Sequence, residues 1–464
     1  MAGLGHVMPR TSTLAAAAAV VWLATLAGRH LPALAGARLL AVLLCVFAAT
    51  AAPRLRTVAL CLAAVGVAGG AGAWHGVSVP ESAPCAGRAV VRIDPRTRGG
   101  ATNVVLEIEG VRWRVVARGR TGGMLARTAA GEVLDVEATC ERGTGEWSSR
   151  DRVRHIMGRA HVVRVAEVRG SGNALARASN RVRRALVDGT SGVPESLRGL
   201  FTGLAVGDAR AQSQEMIDDF RATGISHLTA VSGQNVAYLL AMMSPMLSRL
   251  GRWWRLGAVL ALIGWFTVLT RAEPSVVRAG VMAGLVAISG AVGAGLNART
   301  VLSSTVVVLL LVDPMLAWSV GFALSVGATA GLAWLSAPIT RHLGARIPAR
   351  SVIASTLAAQ VGTSPVLLFV FGSIPVVTLV ANPLVIGVAG VVMTIGVPLS
   401  LVGAFMPFTA PLVAVVLTPP LWWIAAVADV AAAIGPTGWV NAACWCGALL
   451  LCAGLARRSR NTRV

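Results

Sequence analysis

The chain has 464 residues, of which 55% are hydrophobic and only 13% are charged, whereas soluble globular proteins carry roughly 25% charged residues. This composition argues strongly against a soluble enzyme. The formal net charge is +21, and all 41 basic residues are arginines. Because there is no lysine, Schiff-base catalysis by lysine and a phosphate-binding loop that depends on lysine are both excluded.

The charges are unevenly distributed along the chain. Residues 81–200 hold 21 arginines and 13 acidic residues, and the rest of the chain holds 20 arginines and 7 acidic residues. The apolar remainder is typical of membrane spans, so we predict a polytopic α-helical membrane protein with one polar insert. The excess of arginine is compatible with a polyanionic partner, but cytoplasmic loops of membrane proteins are also basic for reasons of insertion.

Apolar runs near the spanning length of roughly 20 residues predict about twelve spans. Loop arginines favour the cytoplasm, so we expect both chain ends inside and the insert outside, although Arg29 and Arg38 conflict with this orientation. The first two runs are short and could form a hairpin. The predicted spans are 13–27, 39–52, 57–74, 226–247, 256–270, 275–294, 300–312, 316–336, 351–371, 376–406, 411–434 and 439–456.

These runs divide the chain into five parts. The parts are N-terminal transmembrane segments at 1–80, an extracytoplasmic β domain at 81–170, an amphipathic helical connection at 171–225, a second transmembrane domain at 226–456 and a basic cytoplasmic tail at 457–464.

The run 376–406 is too long for one straight span, since a helix of that length would measure about 46 Å against roughly 30 Å of hydrocarbon. Pro383 and Pro398 lie inside it, and Asn382 precedes the first proline. We therefore expect a broken or re-entrant segment that lines a cavity. A tilted helix with an amphipathic end is the alternative.

The insert contains five short runs with period-two alternation, which predict a small all-β barrel or sandwich. Five is the strand count of an OB-fold, so we expect an OB-like domain. We expect Gly-rich turns between the runs, including 98–100 and 122–123. The predicted strands are 89–93, 104–108, 112–116, 133–139 and 162–168.

Cys85 and Cys140 are the two cysteines of the insert. On the oxidising side of a membrane they predict a disulfide, with two unpaired buried thiols as the alternative. Closure of a loop of this length would remove roughly 4 kcal/mol of denatured-state entropy in the chain model.

The same insert carries basic residues that suit a nucleic-acid surface. Such surfaces combine a basic groove with aromatic stacking platforms, and the candidates are Arg112, Arg114, Arg118, Arg120 and Trp113. A structural cap whose arginines are solvated is an equal alternative.

A polar cluster follows the predicted helix 213–223, which we expect to end at Gly224. Polar groups inside a membrane are costly, so they indicate either a functional site or contacts between helices. The cluster comprises Ser226, His227, Thr229, Ser232, Gln234 and Asn235.

Residues 224–233, Gly-Ile-Ser-His-Leu-Thr-Ala-Val-Ser-Gly, resemble the signature of the ComEC competence proteins. Val-Gly-Asp at 206–208, Asp-Pro at 313–314 with Gly-Phe-Ala-Leu-Ser at 321–325, and Ala-Asn-Pro-Leu at 381–384 fit the family in order. The resemblance covers about 193–456, and the insert resembles more loosely the OB-like domain that precedes this region in the family.

The resemblance implies a multi-pass channel of the inner (plasma) membrane that passes single-stranded DNA into the cytoplasm during natural transformation. It implies an outside DNA receptor, a separate nuclease and a cytoplasmic ATPase motor as partners, besides membrane lipid. Many members carry a metallo-β-lactamase-like domain after the channel, but this sequence has no H-x-H-x-D-H cluster. We therefore expect no catalytic residue, no cofactor, no metal and no covalent chemistry.

Many members have Leu-His where this chain has Gln234 and Asn235, so a role that needs a second imidazole is not expected. The polar cluster has an alternative role in packing between helices. Asp208 and Arg210 could instead pair with each other. Arg278 could instead form an ion pair with Glu273 or extend its charged end to the membrane interface by snorkelling. The residues predicted along the DNA path are Asp208, Arg210, His227, Ser232, Gly233, Gln234, Asn235, Arg278 and Asn382.

The rival interpretation is a proton-coupled transporter or exporter of a small anionic solute, with Asp429 or His227 carrying the proton. An intramembrane serine protease is disfavoured, because His227 and Ser232 lie five residues apart and would not face one another on one helix. His227 as a metal ligand is also disfavoured, because no second histidine lies near it in the sequence.

Overall fold

A computed structural model describes residues 11–28, 66–67, 69–70, 82–143, 151–229, 232–343, 350–436, 438–441 and 443–445. The predicted spans at 39–52, 57–74 and 439–456 and the tail at 457–464 lie wholly or largely outside the described residues.

The insert forms a closed five-stranded β-barrel with the strand order β1-β2-β3-β5-β4. Strands β3 and β5 pair in parallel, and the other neighbours pair antiparallel. Each predicted strand is present and is longer than its alternating run. The strands are β1 (Ser82–Arg98), β2 (Ala101–Ile108), β3 (Val111–Arg118), β4 (Val133–Arg142) and β5 (Ile156–Gly170).

A short helix, α2 (Gly119–Ala126), lies between β3 and β4, so the turn that we expected at 122–123 is wrong. Leu125 of this helix is fully buried in the barrel core. A Cβ atom at Gly122 would lie 2.7 Å from the carbonyl oxygen of Ala117. Gly122 is therefore needed where the helix backbone approaches β3, whereas a Cβ atom at Gly123 would meet nothing within 4 Å.

Cys85 and Cys140 are joined by a disulfide, with Cα atoms 5.8 Å apart. They lie on the paired strands β1 and β4, where Cys85 is opposite Ala138 and Cys140 is opposite Ala83. The disulfide thus links two neighbouring strands of the barrel.

Three helices connect the barrel to the apolar helices: α3 (Ala174–Asp188), α4 (Glu195–Val206) and α5 (Gln214–Ala222). We expected an amphipathic connection here, and α4 departs from that expectation. Every residue of α4 from Gly199 to Val206 is buried, and Leu200 and Phe201 belong to the main core of the helical region. This helix is central to the fold, although it is too short to resemble a span in the sequence.

The protein is a membrane protein with a helical region of apolar helices. Among the described residues, five of these helices are long and apolar enough to cross a membrane: Pro274–Val292, Val320–Leu343, Arg350–Phe371, Thr378–Phe405 and Pro407–Ile434. Leu14–Ala27 and Ala298–Val312 are shorter apolar stretches. The helices are α1 (Thr11–Gly28), α6 (Gly233–Leu247), α7 (Arg252–Leu269), α8 (Pro274–Val292), α9 (Ala298–Val312), α10 (Val320–Leu343), α11 (Arg350–Phe371), α12 (Thr378–Phe405) and α13 (Ala410–Ile434).

The break that we expected in 376–406 is wrong. Residues 378–405 are all described and all helical, with a π-helical turn at Val392–Gly396. Pro383 falls inside the helix, and Pro398 lies directly after the π turn. Pro398 has no amide hydrogen to donate, and the wider π turn directly before it gives its ring room, so a helix of about 42 Å stays continuous.

The basic ends of the helices lie on the side away from the barrel. Helix α7 begins at Arg252, and the residues just after its other end contact the barrel, where Arg271 binds Asp94. Helix α9 likewise has Arg299 in its first turn and is followed by Asp313, which binds His155 of the barrel region. This arrangement agrees with the predicted topology, in which the arginine-rich loops and the insert lie on opposite sides.

Helices α10 and α11 pack through glycines. A Cβ atom at Gly331 would lie 2.0 Å from the carbonyl oxygen of Ala358, and one at Gly362 would lie 2.1 Å from that of Gly327. Small residues let membrane helices approach at backbone distance. The two helices therefore form a tightly packed pair.

Candidate functional site

A cavity of about 4270 Å³ lies between the barrel and the helical region. Its wall carries many more arginines than acidic residues, which favours an anionic ligand. The barrel region contributes Arg88, Arg92, Arg96, Arg112, Arg114, Arg154 and Arg159, and the helical region contributes Arg183, Arg210, Arg221, Arg255, Arg271 and Arg278.

The predicted nucleic-acid residues of β3 divide between the two faces of the strand. Arg112 and Arg114 line the cavity, but Trp113 is only 5% exposed and packs in the barrel core. Trp113 as a stacking platform is therefore wrong, because successive residues of a strand point to opposite faces. Arg118 and Arg120 are exposed at the end of β3 and the start of α2 and are not part of the cavity wall.

Several wall arginines have acidic partners. Glu107 binds Arg92 and Arg112, and Asp151 binds Arg114. The hydrogen bond from Arg92 is the main reason why the pKa of Glu107 lies below its usual value.

A second set of wall arginines forms no ion pair with any residue that the structure describes. Within the described ranges, Arg88, Arg96 and Arg159 have no acidic side chain within ion-pair distance. Their charges are available to a ligand in the cavity.

A buried ionic network joins the barrel to the helices. Asp94 of β1 accepts two hydrogen bonds of 3.0 Å from Arg271, which follows α7. Arg183 of α3 lies 3.2 Å from both Asp94 and Asp208, and Arg210 binds Asp208. We call these five residues the junction network. They contact one another across four separate segments of the chain.

Both carboxylates of the junction network are held in the charged form. Burial alone would raise the pKa of Asp94, but Arg183, Arg271 and the amide of Ala130 outweigh burial and lower this pKa to about 2. Burial alone would also raise the pKa of Asp208. The hydrogen bond from Arg210 and the charge of Arg183 outweigh burial and lower this pKa below its usual value. Asp208 and Arg210, which we predicted along the DNA path, thus line the cavity but pair with each other, as the alternative interpretation had it.

Apart from the pairing of Asp208 with Arg210, the junction network was not predicted from the sequence, because Asp94, Arg183 and Arg271 lie far apart in the chain. Arg271 and the following Ala272 also adopt left-handed backbone conformations with φ of 59° and 53°. Such values are uncommon for residues other than glycine. The turn after α7 is therefore held in a costly conformation by the contacts that Arg271 makes.

Two further contacts fix the barrel. His155 lies 3.0 Å from Asp313, whose other carboxylate oxygen accepts a hydrogen bond from the amide of Met315. Asn180 of α3 donates to the carbonyl of Ala130. Asp313 thus caps the short helical turn that follows it and also holds the barrel through His155.

The signature segment lies before α6 and in its first turn. Gly224 has φ of +72° and follows α5, as predicted. Residues 226–229 form a turn, and α6 starts at Gly233, so the predicted start of the span at 226 is wrong. Turns that satisfy their own backbone polar groups allow polar side chains to face a cavity.

Most of the predicted signature residues line the cavity: His227, Ser232, Gly233 and Gln234. Asn235 does not, and its place on the DNA path is wrong. Its side chain is buried and donates a hydrogen bond of 2.7 Å to the carbonyl of Leu204. Because a buried amide needs a hydrogen-bond partner, this contact fixes α6 to α4.

Arg278 of α8 also lines the cavity, although it is only 7% exposed. It donates hydrogen bonds to the hydroxyl of Thr329, at 2.9 Å, and to the sulfur of Met282. The expected ion pair with Glu273 is wrong, since the arginines that act on Glu273 are Arg154 and Arg96 of the barrel region. Snorkelling is wrong too, because the guanidinium is buried.

A family model described as "Competence protein" matches residues 204–459, which is more than half of the chain. The chain belongs to the ComEC competence protein family.

The ComEC-family chain is also similar to curated proteins. It is 29% identical to "ComE operon protein 3" of Bacillus subtilis over 42% of this chain and 25% of that protein. It is 30% identical to "Competence protein ComA" of Neisseria gonorrhoeae over 65% of this chain and 42% of that protein. It spans between a quarter and a half of the length of these relatives, and no solved structure matches it.

Asn382, in the fourth family stretch of this ComEC-family chain, lies in α12 and lines the cavity beside His227. Its side-chain oxygen is buried, and the side chain of His227 lies within hydrogen-bonding reach of Asn382. The two polar side chains thus lie together in the cavity wall.

Asp429, the proton carrier of the rival interpretation, does not line the cavity of the ComEC-family chain. It is exposed on α13, close enough to Asp219 of α5 for its charge to act on that residue. The cavity therefore does not support Asp429 as its proton carrier.

Proposed function

We propose that this protein is a channel of the inner membrane that passes a single DNA strand into the cytoplasm during natural transformation. Membership of the ComEC family supports a role in DNA uptake. The observation that carries the channel role is the arginine-rich cavity, whose wall runs from the barrel to the signature segment and Arg278. Such a wall raises the local concentration of a polyanion.

The barrel would be the first DNA contact of this channel. Its strand order and the helix between β3 and β4 support an OB-type fold, a barrel that commonly binds oligonucleotides across strands 2 and 3. The outward residues of β3 are Arg112 and Arg114 rather than aromatic rings. Recognition would therefore depend on phosphate contacts and would weaken steeply with salt.

The proposed channel catalyses no covalent step. An outside receptor would deliver the DNA, a separate nuclease would supply the single strand, and a cytoplasmic ATPase would pull it. These partners follow from the proposed role, because a passive cavity supplies neither strand separation nor a motor.

The test is uptake of fluorescent DNA by a transformable host whose own copy of this gene is deleted and replaced by variants. Replacing Arg88, Arg96 and Arg159 together with glutamine removes the unpaired barrel charges of the cavity wall. We expect uptake to fall about tenfold or more, because each lost phosphate contact weakens binding.

The matched control replaces Arg118, Arg120 and Arg127 with glutamine. These arginines are exposed on the same barrel but lie off the cavity wall. The control removes the same net charge, and we expect less than a twofold change. Equal losses in both triple variants would refute the cavity as the DNA path, and normal uptake in the deletion host would refute the channel itself.

A further inference from the structure

Arg278 is a buried cation without an anionic partner. Its side chain is 7% exposed, and no carboxylate lies within 4.0 Å of it among the described residues. Its Nη1 atom donates to Thr329 and Met282, while Nε is buried without a partner in the part of the chain that the structure describes. A buried charge of this kind is strongly unfavourable unless something neutralises it.

The guanidinium lies against the first turn of α6. Its Nη2 atom is 3.1 Å from the place that a Cβ atom of Gly233 would occupy. Helix α6 has 15 residues, and the side chain of its N-cap residue Ser232 does not cap the first turn, since its hydroxyl is engaged with the side chain of Asn235. The partial positive charge of a helix N-terminus and the guanidinium therefore converge on one region of the cavity wall.

Gly233 makes this convergence possible. A Cβ atom there would lie 2.9 Å from the Cβ of Ala279, as well as 3.1 Å from Nη2 of Arg278. A larger residue would push the guanidinium from the backbone amides of α6. Gly233 and Arg278 both line the cavity, so a ligand in the cavity can reach the guanidinium and the first turn of α6 together.

We propose that Arg278 and the first turn of α6 form a binding site for a phosphate oxyanion, and that its natural occupant is a backbone phosphate of the DNA strand. The occupant rests on the proposed function, whereas the anion site does not. Guanidinium groups bind phosphate oxygens through two parallel hydrogen bonds, and helix N-termini supply further donors. The bound phosphate neutralises the buried charge that the protein leaves unpaired.

The test uses the purified full chain in lipid nanodiscs and three probes: inorganic phosphate, a fluorescent oligothymidylate, and the same oligomer with uncharged methylphosphonate linkages. We expect Arg278→Gln to weaken oligothymidylate binding about tenfold, which is the loss of one charge-assisted contact. The slope of log affinity against log salt should become shallower by about 0.7, the value for one phosphate of a single strand.

Two further variants separate the site from folding. Gly233→Ala keeps the charge of Arg278 but occupies the space beside it, and we expect a similar loss of binding. Arg341→Gln removes an exposed arginine of the helical region that does not line the cavity, and we expect less than a twofold change. Inorganic phosphate should raise the thermal unfolding midpoint of the parent protein but not that of Arg278→Gln.

The outcomes distinguish the anion site from its occupant. Unchanged binding of phosphate and oligothymidylate in both Arg278→Gln and Gly233→Ala overturns the site. Equal binding of the methylphosphonate oligomer shows that backbone charge is not recognised and overturns the occupant. If phosphate protects the parent protein through Arg278 but oligothymidylate does not bind, the anion site stands with free phosphate as its ligand and the proposed DNA channel fails.

Discussion

Arg183 and Arg278 are both buried in the helical region and line the same cavity, but their surroundings differ. Arg183 lies 3.2 Å from Asp94 and from Asp208 and donates to two backbone carbonyls. Arg278 has a hydroxyl, a thioether and a helix N-terminus around it. The first arginine is neutralised by the protein, and the second is left for a ligand.

The presence or absence of an acidic partner therefore distinguishes an arginine that stabilises the fold from one that binds a ligand. The exposed fraction of the side chain does not distinguish them, because both arginines are buried. Breaking a buried ion pair is costly because it leaves one charge uncompensated. A buried arginine that has no anionic partner within the protein is therefore expected to bind an anion from solution. The following predictions alter one side of this comparison at a time.

The largest effect should come from Asp94→Asn. This change leaves Arg271 without a carboxylate and Arg183 with only one, so we expect a loss of about 4 kcal/mol in the free energy of unfolding, measured in mild detergent. Glu107→Gln is the control, because it breaks ion pairs with the exposed Arg92 and the half-buried Arg112 and should cost less than about 1 kcal/mol. Equal losses in the two variants would show that the junction network contributes no more than a surface pair.

Cys85→Ser tests whether the barrel depends on its own crosslink as well as on the junction. We expect a loss of about 3 kcal/mol, since the disulfide closes a loop with a sequence separation of 55 and native disulfides typically contribute about 2–4 kcal/mol. The count of free thiols in the unreduced, denatured protein should rise by one, because Cys140 is released. A count that falls by one would show that the two thiols were unpaired.

Acid should loosen the junction through Asp94. The pKa of Asp94 is about 2 in the folded protein, below the ordinary aspartate value of 3.8, so the stabilisation is present above about pH 4 and is lost as the pH falls toward 2. The lowered pKa of Asp94 contributes about 2.5 kcal/mol to the free energy of unfolding at neutral pH. Stability measured across this range should fall less steeply in Asp94→Asn. A parallel fall in both proteins would assign the acid sensitivity to other groups.

Thr329→Val removes the hydroxyl that binds Arg278 and keeps the shape of the side chain. We expect a loss of about 1.5 kcal/mol in the free energy of unfolding, because Nη1 of Arg278 then lacks its oxygen partner. Thr340→Val on the same helix is the matched control, since its hydroxyl donates only to the carbonyl of Ser336. If both variants lose equally, the contact with Arg278 has no special weight.

The smallest effect should be a gain from Ala272→Gly. Ala272 has φ of 53°, a conformation that glycine adopts without a steric cost, so we expect stabilisation by less than about 1 kcal/mol. Ala261→Gly within α7 is the control and should destabilise by about 1 kcal/mol, the usual penalty for glycine in a helix. Destabilisation by both changes would mean that the turn after α7 stores no strain.

Much of the fold could be predicted from local sequence patterns. Period-two alternation located all five strands, and apolar runs located the long helices. The same alternation could also have corrected the error at Trp113: if Arg112 and Arg114 face outward, the residue between them must face the core. The helix α2 was missed because paired glycines indicate a turn unless the close approach to β3 is known.

The contacts that define the site could not be predicted in this way. The junction network joins Asp94 to residues more than eighty positions away, and no spacing rule relates such residues. Helix α4 was not recognised as central because 12 residues are too few to span a membrane. The partners of Arg278 and Asn235 likewise depend on how helices pack, so the sequence located polar candidates but did not separate cavity residues from packing residues.

The glycine contacts between α10 and α11 have a mechanical consequence. With Gly331 and Gly362 each in backbone contact with the opposite helix, a relative slide of one residue would bring larger side chains into the same narrow space. The two helices, here called the rod, are therefore expected to move together as one rigid unit. Since Thr329 lies on this rod and binds Arg278, any displacement of the rod acts directly on the buried guanidinium.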